Sequence, residues 1–269
     1  MCKLLTFLIA LGAIAFGVCS PAGAQFNGCG PGLCSPGSVY AYGYGFQGGC
    51  GGYNSACARG GTPQTPIYQG FSFTSGSGGS YSATGVSIGN PSYIATRRVI
   101  VFMGGLNDVS LTSGTINGVT ATIHIAGVTA GSSSWMAAMS AVVTSGTSVT
   151  ISLTTSVGAG QPTLFVYTID NSLLASTTPQ VGTNNTSTGT SLSATYSQTT
   201  GGCLTGFAAS QTPAPSLAFS SPAYTTDQTF GSVNDLVGNF TPVPTTGTGT
   251  TTVTWTGTAD VALGVLEWQ

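Results

Sequence analysis

Charged side chains are scarce in this sequence of 269 residues, in which Asp, Glu, Lys and Arg together make up 4%. Ordinary soluble domains carry about 25%. Beyond residue 24 the basic residues are Arg59, Arg97 and Arg98. A nucleic-acid-binding protein neutralises phosphates with clustered Lys and Arg, so this scarcity argues against a nucleic-acid partner. The surface is instead expected to consist of Ser, Thr, Asn and Gly.

The same scarcity bears on the edges of any β-sheet. Charged side chains on an exposed edge strand keep it from pairing with another chain. With so few of them, two arrangements stay open. In the first, the edges are covered, or the protein assembles with itself as a homo-oligomer or with a partner. In the second, the protein is a monomer whose edges are blunted by loops rich in Pro and Gly.

Residues for a catalytic centre are few and scattered. The one histidine is His124, and no GxSxG motif is present. His124 falls on the polar side of its predicted strand, so it is expected at the surface. Glu267 shares a face with apolar residues at the end of the sequence. Fraying of the last strand explains an acidic residue on that face as well as a functional role does. The acidic residues form no local pair for acid–base catalysis: Asp108, Asp170, Asp227, Asp235, Asp260 and Glu267. We therefore predict a non-enzymatic protein without catalytic residues or cofactors.

Long apolar runs are absent after the first residues. Lys3 precedes an apolar run at residues 4–18, which is too short to span a bilayer comfortably. Residues 22–24, Ala-Gly-Ala, form a signal-peptidase site, so residues 1–24 are predicted to be a signal peptide that is cleaved before Gln25. A lipoprotein signal that ends at Cys19 is the alternative. We expect an exported protein, periplasmic or extracellular, whose mature chain has no membrane span.

The cysteines cluster near the start of the mature chain. Export permits disulfides, and the short spacings favour local pairs, Cys29 with Cys34 and Cys50 with Cys57, although four cysteines allow three connectivities. Cys203 is left over and is expected to be a small buried residue. The spacings differ from the CxxC pairs of zinc sites, so no metal is predicted there.

Residues 25–64 differ in composition from the rest of the chain. They are rich in Gly, Cys and Tyr, and FNGCG at residues 26–30 is echoed by FQGGCG at residues 46–51. We predict a disulfide-pinned arm that serves as a linker. The alternative is an attachment segment whose exposed aromatic rings stack on a ligand: Tyr40, Tyr42 and Tyr44.

From residue 65 onward, short runs alternate apolar and polar residues between Gly, Pro, Ser and Asn turns. Residues 98–103 and 164–169 are apolar on both faces, as central strands are. Asn117-Gly118 predicts a two-residue hairpin turn. Residues 135–143 also fit a helical face, but the flanking patterns favour a strand. We predict an all-β domain at 65–269, an antiparallel β-sandwich or jelly roll of about ten to twelve strands.

Two further groups of residues are weak binding candidates. Asp108, together with Asp227 or Asp235, would supply oxygen ligands to calcium, although ordinary turn capping explains Asp108 better. The tryptophans Trp135, Trp255 and Trp268 could stack on a sugar, but burial in a core is the favoured interpretation for all three. Trp255 alternates with core residues, and Trp268 at the end of the sequence is the better exposed candidate for stacking.

The order of segments from about residue 79 onward is similar to that of a known but poorly characterised family. The segments lie at residues 87–89, 97–102, 115–122, 135–136, 148–151, 164–167, 253–256 and 261–265. They resemble β-sandwich proteins that are encoded by bacteriophages and prophages of alphaproteobacteria and are associated with tails or virion surfaces. The QFNGC opening at residues 25–29 also resembles a segment of such proteins. The resemblance carries over no catalytic residue.

Two functions follow as expectations. The first is a structural or interaction protein at the tail or surface of a phage or prophage particle, in contact with other virion proteins or the host surface. The second is a secreted bacterial domain that binds carbohydrate or mediates adhesion, with cell-surface polysaccharide as its partner. A signal peptide is unexpected on a virion component that is assembled in the cytoplasm, which keeps the second function open.

Overall fold

The computed structural model of the chain describes residues 65–90, 96–105, 109–131, 134–158, 160, 162–210, 216–230 and 235–269. The predicted signal peptide, the predicted arm and Asp108 lie outside the described residues. The predictions made for them therefore stay predictions: the disulfides of Cys29, Cys34, Cys50 and Cys57, and the stacking roles of Tyr40, Tyr42 and Tyr44.

The predicted all-β class is confirmed. The described residues form 18 strands and one 3-10 turn, Asn171–Leu173, and no α-helix occurs among them. This exceeds the expected ten to twelve strands, because short strands such as β2 and β6 are too brief to show alternation. The strands of the first half are β1 (Ile67–Phe73), β2 (Ser75–Ser77), β3 (Ser80–Ser87), β4 (Arg97–Gly105), β5 (Leu111–Ile116), β6 (Val119–Thr120), β7 (Thr122–Ala130), β8 (Ser134–Val143), β9 (Ser148–Thr155) and β10 (Thr163–Asp170). Those of the second half are β11 (Gln180–Thr186), β12 (Ser191–Gln198), β13 (Cys203–Ala209), β14 (Ala218–Ser221), β15 (Thr225–Phe230), β16 (Asp235–Phe240), β17 (Gly247–Thr254) and β18 (Val261–Trp268).

Each half is a two-sheet sandwich of antiparallel strands. In the first half, the N-inner sheet has the order β1-β10-β4-β8-β7 and the N-outer sheet has the order β2-β3-β9-β5-β6. In the second half, the C-inner sheet has the order β11-β18-β13-β16-β15 and the C-outer sheet has the order β12-β17-β14. Most successive strands cross between the two sheets of a half, as they do in a jelly roll, whereas β7 with β8 and β15 with β16 are neighbours in one sheet.

Three apolar cores separate the sheets, so the four sheets are stacked in four layers. One core fills the first sandwich, between the N-outer and N-inner sheets. A second core joins the two inner sheets, with Phe207 packed 5.9 Å from Phe102 and 5.3 Å from Phe165 between ring centroids. The third core fills the second sandwich, between the C-inner and C-outer sheets. The molecule is thus two sandwiches placed back to back through their inner sheets.

The two halves have the same topology. When the short strands β2 and β6 are left out and each half is numbered from its own first strand, both inner sheets have the order 1-8-3-6-5. With the same numbering, β3-β9-β5 and β12-β17-β14 both have the order 2-7-4. The correspondence extends to residues, because SYSAT at 80–84 in β3 matches SLSAT at 191–195 in β12. The chain therefore contains one sandwich twice.

Stacking explains why the central strands are apolar on both faces. All residues of β4, β10, β13 and β18 are buried. An inner sheet is covered on one face by its outer sheet and on the other by the opposite inner sheet, so neither face meets water. The central-strand predictions for residues 98–103 and 164–169 are confirmed.

Two local predictions are also confirmed. Asn117 and Gly118 connect β5 to β6 with φ angles of 54° and 77°, the positive values that a type I′ hairpin turn requires. The segment that also fitted a helix is strand β8, whose residues are buried between neighbours on both sides of the N-inner sheet.

Candidate functional site: the hydroxyl-covered outer sheets

The charged residues of the described chain lie inside the fold or at its seams. Among the described residues no Asp, Glu, Lys or Arg is exposed. Five are buried: Arg97, Arg98, Asp170, Asp235 and Glu267. Two are half-buried: Asp227 and Asp260. The solvent-facing surface of this part of the chain therefore presents polar atoms without formal charge.

The N-outer sheet presents a ladder of hydroxyl groups to solvent. Five residues lie opposite one another across its five strands, and none of them is buried: Ser75, Ser82, Ser152, Thr115 and Thr120. Neighbouring strands lie about 4.7–4.9 Å apart, so the ladder repeats at that interval. A parallel row, Ser77, Ser80, Thr154 and Ser113, crosses four of the strands.

A groove of about 410 Å³ lies along these rows. Its polar lining comes from Ser and Thr hydroxyls, and Gly76 and Gly114 also line it. No charged residue lines it. A Cβ on Gly114 would come 2.3 Å from Met139 Sδ, which shows how tightly β5 packs on the core beneath the groove. The groove suits an uncharged ligand that both donates and accepts hydrogen bonds.

The C-outer sheet repeats the pattern. Strands β12 and β17 align four pairs of hydroxyl residues, Ser191 with Thr254, Ser193 with Thr252, Thr195 with Thr250, and Ser197 with Thr248. All eight side chains are exposed or half-buried. The Ser193 and Thr252 hydroxyl oxygens are 2.8 Å apart and hydrogen-bond to each other. These pairs occupy the same register as Ser80 with Thr154 and Ser82 with Ser152 on the first sandwich.

His124 lies in a polar cluster at the seam between the inner sheets. Its Nε2 is 2.7 Å from the hydroxyl of Ser140, and Arg98 Nη1 donates to that same hydroxyl at 2.9 Å. The ring meets Trp268 edge to face at 5.4 Å, and the Arg98 guanidinium stacks over Trp268 at 5.5 Å. Burial, and then the Arg98 charge, lower the pKa of His124 to about 4. The imidazole is therefore neutral at physiological pH.

The expectation that His124 is a surface residue is wrong. Strand β7 has a bulge between Ile123 and Ile125, which shifts the alternation by one residue. Ile123 consequently packs against the core of the first sandwich, and Ile125 packs in the core between the inner sheets. His124 is half-buried as a result. The Ser140 hydroxyl beside it is fully buried, so it is closed to a substrate.

The alternative role of Trp268 as an exposed stacking platform is wrong, and its favoured burial in a core is confirmed. Its exposure is 0%, because β18 lies between β11 and β13 within the C-inner sheet and is covered on both faces. Trp135 is equally buried, and Trp255 is a core residue as the alternation predicted. No tryptophan of the chain is therefore available for stacking on a sugar in this structure.

The two described calcium candidates occupy different surroundings. Asp227 Oδ2 accepts hydrogen bonds from the Tyr167 hydroxyl at 2.7 Å and from Asn239 Nδ2 at 2.8 Å. Asp235 is 1% exposed, and neither of its carboxyl oxygens meets a hydrogen-bond partner among the described residues. Burial raises the pKa of Asp235 well above its usual range. The described residues contain no group of three or more His, Cys, Asp or Glu side chains that could hold a metal ion.

Glu267 is not in a frayed end. It is fully buried, and its Oε1 accepts a hydrogen bond from the Thr199 backbone N–H at 3.0 Å. Its Oε2 accepts from Gln269 Nε2 at 3.2 Å. Burial raises the pKa of Glu267, which these hydrogen bonds partly counteract. The carboxyl group closes the turn between β12 and β13, a structural role that strand alternation does not reveal.

Cys203 departs from expectation in a different way. It is fully buried in β13, as predicted for a small core residue. It also takes part in a disulfide. The expectation that Cys203 is left over is therefore wrong. The short-range pairing expected in the arm is a prediction for disulfide mapping by peptide mass spectrometry.

The hydroxyl ladders were not predicted as a site. The sequence shows the outward Ser and Thr residues in its alternation, but every half-buried strand has a polar side. What distinguishes these positions is the cross-strand register, which aligns them in rows, and the recurrence of S-x-S-A-T in β3 and β12. The recurrence is visible in the sequence and is the signal that would have found them.

No family model, curated protein or solved structure matches this chain. Among the described residues, no helix has the length and apolar character that a membrane span needs.

Proposed function

We propose that this protein is a non-enzymatic structural and interaction protein of a phage or prophage particle, located at its tail or surface and able to contact the host. One observation carries the proposal. Both outer sheets present aligned Ser and Thr hydroxyls to solvent, while the charged residues of the described chain are buried or half-buried.

Such a surface suits contact rather than chemistry. Hydroxyl groups donate and accept hydrogen bonds, and a surface without formal charge attracts no particular counter-charge. Contacts made through it are insensitive to ionic strength, because salt screens charges and not neutral hydrogen bonds. The Ser140 hydroxyl beside His124 has no access to solvent, so the one Ser–His contact described above supports no catalytic role.

The particle setting is drawn from the sequence resemblance to prophage-encoded sandwich proteins. The test is sedimentation of culture medium after induction of the prophage response in a strain that carries the gene. Particles are pelleted through a density cushion and probed for this protein. We expect it in the particle band. A protein that stays in the soluble or cell-associated fraction, while other virion proteins sediment, would overturn the particle assignment.

A second candidate function is a secreted carbohydrate-binding or adhesion domain of the bacterium. The groove on the N-outer sheet favours it, because Ser and Thr hydroxyls line the groove and no charged side chain does. The predicted signal peptide is also consistent with secretion. This candidate predicts the protein in the medium or on the cell surface without induction, and binding of the oxidised, folded protein to cell-surface polysaccharide. The absence of such binding would reject it.

A further inference from the structure

We infer that the two outer sheets are two equivalent binding faces for a neutral, hydroxyl-rich polysaccharide, so that one molecule bridges two polymer chains. This inference rests on the proposed function, since it specifies the chemistry of the host-surface contact.

The equivalence of the faces follows from the duplicated topology. Strands β3, β9 and β5 of the N-outer sheet correspond to β12, β17 and β14 of the C-outer sheet. Within this correspondence Thr154 and Thr254 occupy the same position, since each lies opposite the first serine of S-x-S-A-T. The outward side chain is a hydroxyl at each matched position of the paired strands, although the buried partners differ, for example Tyr81 and Leu192. The match ends at these two strands, because Ala218 of β14 stands where Ser113 of β5 stands and the C-outer sheet has no counterpart of β2. A ligand that contacts β3 and β9 therefore finds the same two-strand arrangement on β12 and β17.

The chemistry of the faces selects the class of ligand. Hydroxyl groups repeat about every 4.7–4.9 Å across strands and about every 6.6–6.8 Å along them, the distance between every second residue. A dense array of neutral donors and acceptors complements a polyol, whereas a charged polymer would meet no counter-charge among the described residues of either face. The groove of about 410 Å³ is within the size range of small-molecule sites, about 300–1,000 Å³.

The faces are shallow, which makes bivalence important. The ring of Tyr81 at the base of the groove is 4% exposed, so it offers little area for stacking on a sugar. A single face is therefore expected to bind weakly. The outer sheets lie on opposite sides of four layers, roughly 30 Å apart for sheets that pack at about 10 Å. Two weak sites linked in one rigid molecule raise the overall affinity for a long polymer by about 10²–10⁴-fold without any new contact.

The test uses the purified, oxidised full chain and one probe. The probe is the neutral polysaccharide extracted from the surface of the bacterium that carries the gene, both intact and as short fragments. The variants are Thr154→Glu, Thr254→Glu and the double variant, each of which places a carboxylate in a neutral face. Thr178→Glu makes the same charge change at an exposed position outside both faces, and Thr154→Ser keeps the hydroxyl. Circular dichroism and thermal melting confirm that each variant is folded.

We expect two sites per chain for short fragments, one in each single Glu variant and none in the double variant. The intact polymer should be cross-linked and precipitated by the wild type, Thr178→Glu and Thr154→Ser. Each single Glu variant should bind the intact polymer about 100-fold more weakly and fail to precipitate it.

Several results would overturn the inference. One is a lack of wild-type binding to the extracted polysaccharide, and another is a stoichiometry of one. Equal loss of binding in Thr178→Glu would also reject it, because the effect would then be one of net charge. Sedimentation with particles is a separate result. Two-site binding by a protein that is absent from particles rejects the virion placement alone, and a particle protein with one site or none rejects this inference alone.

Discussion

Burial disfavours the charged form of two titratable side chains between the inner sheets, with opposite effects of pH on stability. His124 has a pKa of about 4 in the folded protein against 6.5 for the free side chain, because burial and Arg98 disfavour its charged form. Asp235 has a pKa raised well above its usual value, because burial disfavours its carboxylate. Folding therefore opposes protonation of His124 and opposes ionisation of Asp235.

The first prediction concerns His124. A depressed pKa in a base means that the folded state binds the proton less well than the unfolded state, so stability is lost as pH falls from 6.5 towards 4. We expect a loss of about 2 kcal/mol over this range, after allowance for a ring that is only half-buried. His124→Gln, whose side-chain oxygen can accept from Ser140, should remove this part of the slope. Urea unfolding at several pH values measures it.

Thr122→Gln is the control for that experiment, because Thr122 is exposed on the same strand. It should keep the wild-type slope. If the unfolding free energy of His124→Gln changes with pH as in the wild type, His124 is not the group that titrates. The contacts of its ring would then not lower its pKa.

The second prediction concerns Asp235. A raised pKa in an acid means that its contribution to stability is complete below the unfolded pKa, about 3.9, and is lost as pH rises through the folded value. Asp235→Asn removes the charge and should be more stable than the wild type at pH 8 by about 1–3 kcal/mol, with little difference at pH 4. Thermal unfolding at both pH values tests this. A less stable variant at pH 8 would show that the carboxylate has a partner, such as a bound cation.

At the scale of single elements, alternation predicted the strands but not their irregularities. The apolar runs of β4 and β10 and the Asn117-Gly118 turn depend on short-range pattern, and the structure confirms them. The bulge at His124 depends on how β7 pairs with the next strand, β8. The sequence of β7 itself carries no sign of this bulge. The burial of Trp268 depends on the insertion of β18 between β11 and β13, a long-range arrangement that local sequence does not encode.

One pair of opposed glycines in the C-inner sheet lets two aromatic rings pack directly on the backbone. Gly206 in β13 lies opposite Gly238 in β16, and the stacked rings of Phe219 and Tyr224, 4.3 Å apart, cover them. A Cβ on Gly206 would lie 3.0 Å from Tyr224 and 3.1 Å from Phe219. Glycine is thus required by close packing rather than by backbone conformation.

The third prediction follows from this contact. Gly206→Val should destabilise the protein by about 1–3 kcal/mol, since the added methyl groups force both rings aside in a packed core. Gly158→Val is the matched control, because the nearest atom to a Cβ there is 3.9 Å away. Chemical denaturation measures both variants. If the two variants lose the same stability, the rings do not pack on Gly206 as described.

At the scale of the whole molecule, the sequence predicted a sandwich but not two of them. The repeat is concealed because the matched inner strands differ, RRVIVFMGG in β4 against CLTGFAA in β13. Inner strands are constrained only to be apolar and to fill the core, so many sequences satisfy them. The outer strands retain S-x-S-A-T with its outward hydroxyls, and this recurrence is what leads from the fold to a function shared by both halves.

We propose that the molecule acts through its two outer sheets. The most direct test is hydrogen–deuterium exchange of the purified protein, measured by mass spectrometry with and without the extracted surface polysaccharide. We expect slower exchange in peptides from β3 and β9 and, to the same extent, in peptides from β12 and β17, with the inner strands unchanged. Protection confined to one outer sheet, or located at the seam around His124 and Asp227, would contradict it.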